Sequence, residues 1–261
     1  DPYLIDTRFQ PRGLTRFRLS AHRRFERAIF TQSAMTVHAI PVYARWARMA
    51  YPFARDRTRI LTNGYSPELE QALIEPVLSP GGRKSIRVIG WPGDAAAIDL
   101  ASAISTLGGD HRDVELRFVG RPPTTLKQIE HLLGDRVVAT GRLGHDLALR
   151  QLAGADVLIC LLDLERAKSK RLSSKLFEYL AAGKPIIIVN PTRPDRQLVR
   201  RKRGIELLEH PDPRQLGEAI VRALEPTAAP PPEQVTWARK AFCRRNQVQQ
   251  LVQWLDELVI Q

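Results

Sequence analysis

The chain has 261 residues, 43% of them hydrophobic and 26% charged, and its 40 Lys and Arg outweigh 28 Asp and Glu to give a formal net charge of +12. That length holds one large domain or two smaller ones with a full core, and no apolar run reaches the roughly 20 residues that a membrane-spanning helix needs. Two cysteines exclude a disulfide framework and read as reduced thiols of a cytosolic protein, while the basic balance favours anionic partners without choosing among nucleotides, nucleic acid and acidic headgroups.

Residue 1 follows neither an initiator Met nor a signal-peptide pattern, so the start reads as a cut end. Residues 1–64 read as the tail of a domain whose earlier part is absent. They are rich in arginine (Arg8, Arg12, Arg16, Arg18, Arg23, Arg24, Arg27, Arg45, Arg48, Arg55, Arg57 and Arg59). This is either a solvated face or a surface for an anionic partner. Leu19–Phe30 has helical spacing, Met35–Ile40 is strand-like, Pro41 opens a second helix, and Ile60-Leu61-Thr62 is a short strand ended by Asn63-Gly64. Residues 65–84 read as a linker.

From residue 85 to 224 a regular alternation sets in. Strands at Ile86–Ile89, Val114–Val119, Val137–Ala139, Val157–Leu162, Pro185–Val189 and Ile205–Leu208 alternate with helices, among them Ala95–Leu107, Thr124–Leu133 and His145–Ala153. Strands separated by crossover helices make a parallel sheet covered on both faces, an α/β, doubly wound, nucleotide-binding architecture. Residues 225–232, rich in proline, form a stiff linker. In 233–261, Val248, Leu251, Val252, Leu255, Leu258 and Val259 make a stripe at helical spacing, expected to pack back on the first segment.

The most informative stretch is Ser173-Ser174-Lys175-Leu176-Phe177-Glu178-Tyr179-Leu180-Ala181-Ala182-Gly183-Lys184-Pro185. Its serines supply an N-cap, Leu176, Phe177 and Leu180 a buried stripe, and Gly183 a stop ahead of the next strand. Glu178 is placed where an unpartnered charge is rare, so a hydrogen-bond partner is expected for it. In open parallel sheets, ligands bind beyond the carboxyl ends of the strands. There Gly90-Trp91-Pro92-Gly93 lets backbone approach a ligand, Arg142 and Leu143 lie nearby, and a basic loop with Lys170, Arg171, Ser173, Ser174 and Lys175 leads into a helix. Helix N-H groups and these cations suit a diphosphate, and Glu178, one turn in, suits vicinal ribose hydroxyls. An ordinary solvated loop, and a salt bridge from Glu178 to a nearby Arg, are the alternatives.

The run Ser174–Ile187 resembles the donor-site signature of the retaining glycosyltransferases of family 4, which have the two-Rossmann-domain GT-B fold. Ile60–Gly64, Phe118-Val119-Gly120, Thr140-Gly141-Arg142-Leu143 and Ala155–Ile159 fall in the order that family shows. The resemblance covers about residues 25–260. It implies that 85–224 is the nucleotide-sugar-binding domain, that Glu178 holds a ribose, that Lys170–Lys175 face the diphosphate and sugar, that Arg142 and Leu143 border the base, and that the final helices cross back to the acceptor domain. Two positions depart from the family's pattern: Lys170 stands where many members have a second glutamate, and Trp91-Pro92-Gly93-Asp94 where many carry an Arg and a Lys that grip phosphate. Either Lys175 with Arg171 takes that role, or donor binding is altered or lost.

The expectation is therefore a glycosyltransferase of bacterial type. It would use a nucleotide-diphosphate sugar and a glycan or lipid-linked acceptor, retain configuration, and need no metal or other cofactor. It would be cytoplasmic or peripheral at the inner membrane face, with the basic first segment on anionic lipid, and a piece of this extent would be inactive alone. No catalytic residue is assigned. A non-catalytic nucleotide-binding domain of the same fold and a basic nucleic-acid-binding protein are the alternatives, the latter supported by charge alone. Asp163-Leu164-Glu165 lacks a third metal ligand, and Gly81-Gly82-Arg83-Lys84-Ser85 precedes its strand and so fails as a phosphate loop.

Overall fold

A computed structural model describes residues 16–162 and 172–259. Lys170 and Arg171, with the acidic pair Asp163 and Glu165, lie outside the described residues, as does the chain before residue 16.

The first unit comprises α1 (Arg16–Gln32), β1 (Thr36–His38), α2 (Pro41–Ala50), a 3-10 turn over 52–57 and β2 (Thr58–Ile60). β1 and β2 pair in parallel, with Thr36 opposite Thr58. Both strands are shorter or earlier than the sequence suggests. Leu61 makes the last ladder bond, to the His38 carbonyl at 3.1 Å, and Pro41 then starts α2 without a donor for the ladder. Phe30, Ala47, Tyr51 and Ala54 form the small core, with the Phe30 and Tyr51 rings stacked at 4.4 Å. Two of the arginines are structural. Arg57 donates to the carbonyls of Ser33 (2.6 Å) and Phe30 (3.2 Å), groups that the end of a helix leaves unpaired, and Arg48 donates to Thr58 (2.8 Å).

The second unit is a six-stranded, all-parallel sheet in the order β5-β4-β3-β6-β7-β8. Its strands are β3 (Ser85–Ile89), β4 (Glu115–Val119), β5 (Val137–Ala139), β6 (Val157–Leu161), β7 (Ile186–Val189) and β8 (Ile205–Leu208). One face is covered by α4 (Asp94–Ser105), α5 (Leu126–Leu133) and α9 (Pro213–Leu224), and the other by α3 (Glu68–Ile74), α6 (His145–Ala153), α7 (Lys175–Ala182) and α10 (Pro232–Phe242). The doubly wound architecture expected from the alternation is the one observed. A seven-residue helix, α8 (Arg193–Val199), follows β7, and α11 (Arg244–Val259) ends the chain. The stretch 65–84 carries α3, whose Leu69 and Ala72 belong to the core.

The last two helices do not pack as the apolar stripe suggests. α10 lies on α7: Phe242 meets Phe177 edge-on with centroids 4.8 Å apart, and Arg239 donates to the Ala181 carbonyl at 3.0 Å. α11 turns its polar side to the first unit, where Gln247 donates to the Thr62 carbonyl at 3.0 Å, and leaves Val248, Val252, Leu255 and Val259 exposed. The reversal follows from Cys243, an extended residue between the helices that bridges to Tyr65 and re-aims α11.

One face of β3 and β4 is charged although it is buried. Arg87 and Arg117 are opposite one another, as are Ser85 and Glu115. Arg117 clasps Glu115 through Nε (2.8 Å) and Nη2 (3.2 Å), Ser79 donates to the same carboxylate (2.8 Å), and Arg87 donates to the Ser85 hydroxyl (3.0 Å) and to the Gln151 carbonyl. Burial, with Arg117 alongside, lowers the Arg87 guanidinium to about 10. Burial alone would raise Glu115, but the bonds from Arg117 and Ser79 hold it below the usual carboxylate range.

Candidate functional site

In this strand order the crossovers leave β3 and β6 in opposite directions, which opens a crevice between them at their carboxyl ends. The two strands pair at Ile86–Val157 and Arg87–Leu158 and then part. Tyr179, fully buried, fills the gap: its hydroxyl accepts the Ile89 N-H (3.2 Å) and donates to the Ile159 carbonyl (3.4 Å). A cavity of about 340 Å³ opens at this edge, bordered by Ile89 and Trp91 on the β3 side and by Ser173, Ser174 and Lys175 on the α7 side.

Lys175, the first residue of α7, spans the crevice. Gly90 has φ 85°, and a Cβ there would coincide with the Lys175 ammonium, so the cation lies directly against β3-end backbone. Gly90 is also pressed by the next loop, since a Cβ on Gly120 would come within 3.2 Å of the Gly90 Cα. The result is a side-chain-free shelf with a cation on it, at the positive end of a helix that points its N-terminus into the cavity. Such a place attracts a phosphate-like anion.

The first turn of α7 departs from the expected cap. Ser174 has helical dihedrals (φ −65°, ψ −33°) and its hydroxyl makes no cap bond. Instead Leu176 and Phe177 donate to the carbonyls of Ser173 and Ser174 at 3.3 and 3.4 Å, tightening the turn. Gly183 stops the helix as expected, in the left-handed region at φ 70° with Val235 of α10 packed against it. The Ser173 N-H donates to Asp195 Oδ1 at 2.9 Å, and its Oγ is 3.7 Å from the Cys160 thiol.

Glu178 lies one turn into α7, is half-buried, and faces α6 and the start of α11 outside the residues that border the cavity. Burial raises its carboxyl above the usual range, against the pull of His145, Arg244 and Lys175, whose charges face it from α6, the start of α11 and its own helix. Arg244 and Lys175 thus set positive charge near a carboxylate for which the sequence led us to expect a hydrogen-bond partner.

The remaining site residues separate. Trp91 lines the cavity at 45% exposure. Gly93, at φ 80°, precedes α4 with open space around it. Arg142 and Leu143 follow Gly141, two strands from β3, and do not border the cavity. Asp94 is tied to the neighbouring loop, accepting the Thr124 N-H (2.6 Å) and hydroxyl (2.7 Å) that hold its carboxyl below the usual range. The loop after β3 thus presents a spent carboxylate where a phosphate grip was looked for, and Lys175 brings the cation from the other side. Sequence reasoning missed Tyr179, Thr192 and Asp195 as cavity residues. Thr192-Arg193-Pro194-Asp195 does carry a legible capping-box pattern with proline in the first turn, and that signal went unused.

Residues 89–226, just over half of the chain and including every described group bordering the crevice from Ile89 onward, match the family model described as glycosyl transferases group 1. The chain belongs to that family. A comparison with curated proteins gave no match. Among solved structures, a group 1 chain of this kind superposes on Anabaena Alr3699/HepE, whose crystals hold UDP and glucose, at TM-score 0.60 and 14% identity, covering 95% of this chain and 68% of that one. It also matches sucrose-phosphate synthase from Thermosynechococcus elongatus (TM-score 0.62, 17% identity, 99% and 65% covered) and α,α-trehalose 6-phosphate synthase from Burkholderia multivorans (0.61, 14%, 94% and 62%). The chain spans about two thirds of the length of these proteins, and the shared architecture is GT-B.

Proposed function

We propose that this glycosyltransferase chain binds the diphosphate of a nucleotide-sugar donor in the crevice between β3 and β6. The enzyme it belongs to would transfer a sugar, with retention as in family 4, to a glycan or lipid-linked acceptor. The observation that carries the reading is Lys175, laid across the Gly90 backbone at the positive end of α7. A pyrophosphate there meets an ammonium at the positive end of α7, which stabilises the bound donor and, more strongly, the diphosphate that leaves. Glu178, one turn further along the same helix and beside the cavity, would be the acceptor for ribose hydroxyls of a donor that extends past it. That solved structures of the same architecture were determined with UDP and with UDP-glucose supports a nucleotide-sugar donor. No metal enters this scheme, because Lys175 and the helix supply the positive charge.

Titration calorimetry of the chain with UDP, GDP, ADP and CDP checks it. One nucleoside diphosphate is expected to bind, about tenfold or more weaker to Lys175→Ala, as loss of one charge-assisted contact implies. Equal affinity in Lys175→Ala would remove the lysine from the site.

The acceptor side of the proposal rests on the first unit. Phe25, Ile29, Met49 and Phe53 are exposed there among exposed Arg23, Arg24, Arg27, Arg45 and Arg55, a mixture that suits the surface of an anionic membrane and supports a peripheral position at the inner face. Among the described residues no helix is long and apolar enough to cross a membrane. Sedimentation with vesicles containing phosphatidylglycerol is expected to fall sharply when Arg23, Arg24 and Arg27 become Ser. Undiminished binding would refute the assignment.

A further inference from the structure

Asp195 is fully buried, yet it accepts three hydrogen bonds that do two different jobs. Oδ2 takes the Thr192 N-H (3.0 Å) and hydroxyl (2.7 Å), while the Asp195 N-H returns to Thr192 Oγ (3.2 Å). That exchange is a complete capping box for α8 and by itself accounts for one carboxylate oxygen. Oδ1 leaves the helix. It holds the Ser173 N-H at 2.9 Å, 22 positions upstream in the chain, on the segment that leads directly into Lys175. A cap needs no such contact.

From this second contact we infer that Asp195 is a positioning residue for the diphosphate end of the donor site. It fixes the backbone of Ser173, and through Ser174 sets where α7 begins and where the Lys175 ammonium rests against Gly90. A buried carboxylate is costly unless it is hydrogen-bonded, and here three donors hold its two oxygens, so the position of Ser173 is tied to that of Asp195. The Cys160 thiol, near Ser173 Oγ, holds the same residue from β6. Ser173 is thereby referenced to β6 and to the helix after β7, so that Lys175 is set from one side of the crevice against Gly90 on the other.

The proposal rests on the nucleotide-sugar reading, and the test separates the two. Affinities for UDP and UMP (or the diphosphate and monophosphate of whichever base binds) are measured for the wild type, Asp195→Asn, Val199→Ala and Ser173→Pro, with melting temperatures for each. Asp195→Asn places an amide donor against a donor at one of its two oxygens, while Val199→Ala, in the buried last turn of α8, loosens that helix and leaves the carboxylate's contacts in place. Ser173→Pro removes the N-H and leaves the carboxylate intact, so it reads the same contact should Asp195→Asn fail to fold. Both Asp195→Asn and Ser173→Pro are expected to lower the diphosphate-to-monophosphate affinity ratio about tenfold, with UMP affinity nearly unchanged. Val199→Ala should lower the melting temperature while leaving the ratio alone. An unchanged ratio in Ser173→Pro and in folded Asp195→Asn, or an equal fall in Val199→Ala, would overturn the positioning role while the donor site stood. A wild type that binds no nucleoside diphosphate would overturn the functional reading and this inference together.

Discussion

Glu178→Gln is expected to melt no lower than the wild type at pH 8 while binding its nucleoside diphosphate at least about tenfold more weakly, the loss of charge-assisted bonds to ribose hydroxyls. The two effects have one origin. Burial on α7 disfavours the carboxylate, and His145, Arg244 and Lys175 only partly offset it, so the folded chain holds the proton to higher pH than the unfolded chain does. Stability associated with that proton is complete below the ordinary glutamate value and is lost as pH rises through the raised value of the folded chain. The wild type should therefore match the glutamine variant in acid and fall behind it towards neutral pH. Nucleotide affinity should run the other way, because the carboxylate is the form that accepts two hydroxyl donors, and should fade on the acid side at a higher pH than an ordinary glutamate would give. Thermal melts and calorimetry from pH 4.5 to 8 check both. Equal nucleotide affinity in the two proteins would take Glu178 out of the site.

What sequence could reveal depended on whether one segment decided the outcome. β6 and β7, as Val-Leu-Ile-Cys-Leu and Ile-Ile-Ile-Val between loops, are apolar on both faces and could only be central strands. Gly183 was equally legible, since a helix that must stop ahead of Pro185 needs a left-handed residue. Lys175 and Glu178 could be singled out by type and spacing, but their meeting with Gly90 and with His145 and Arg244 depends on crossovers from remote parts of the chain. Tyr179 drew no expectation of its own, because nothing in its neighbours shows that β3 and β6 part beside it. The cap at Ser174 failed because the turn is tightened by main-chain bonds, which leave its hydroxyl without that task. α11 was misjudged for a related reason: an amphipathic stripe says which face is apolar, not which way the preceding residue aims the helix.

The charged face of β3 and β4 yields the largest effect on stability. Glu115→Ala is expected to cost about 3–5 kcal/mol, the usual penalty for removing one partner of a buried ion pair. Here the penalty has a specific source. Two buried guanidiniums share one buried carboxylate, so deleting it leaves Arg117 without its bidentate partner and Arg87 beside an uncompensated like charge. Against a total stability of roughly 5–15 kcal/mol this is a large fraction, and at the low end of that range it is enough to unfold part of the population. Because Arg117 and Ser79 hold Glu115 below the usual range, its stabilisation is present above the unfolded carboxyl value and is lost as pH falls through the depressed one, so the gap between wild type and variant should narrow in acid. Converting the trio to Met, Met and Leu removes all three charges at once and should be far milder than the single alanine, since no ion is then left unpaired. Urea titrations of the wild type, Glu115→Ala and the triple variant decide the matter: a single alanine within about 1 kcal/mol of wild type would show that the arginines find other compensation. The cluster lies at the amino ends of β3 and β4, and Gly90 and Gly120 follow their carboxyl ends. Nucleotide affinity per folded molecule should therefore survive Glu115→Ala under conditions where the variant is folded, which separates a loss of fold from a loss of site.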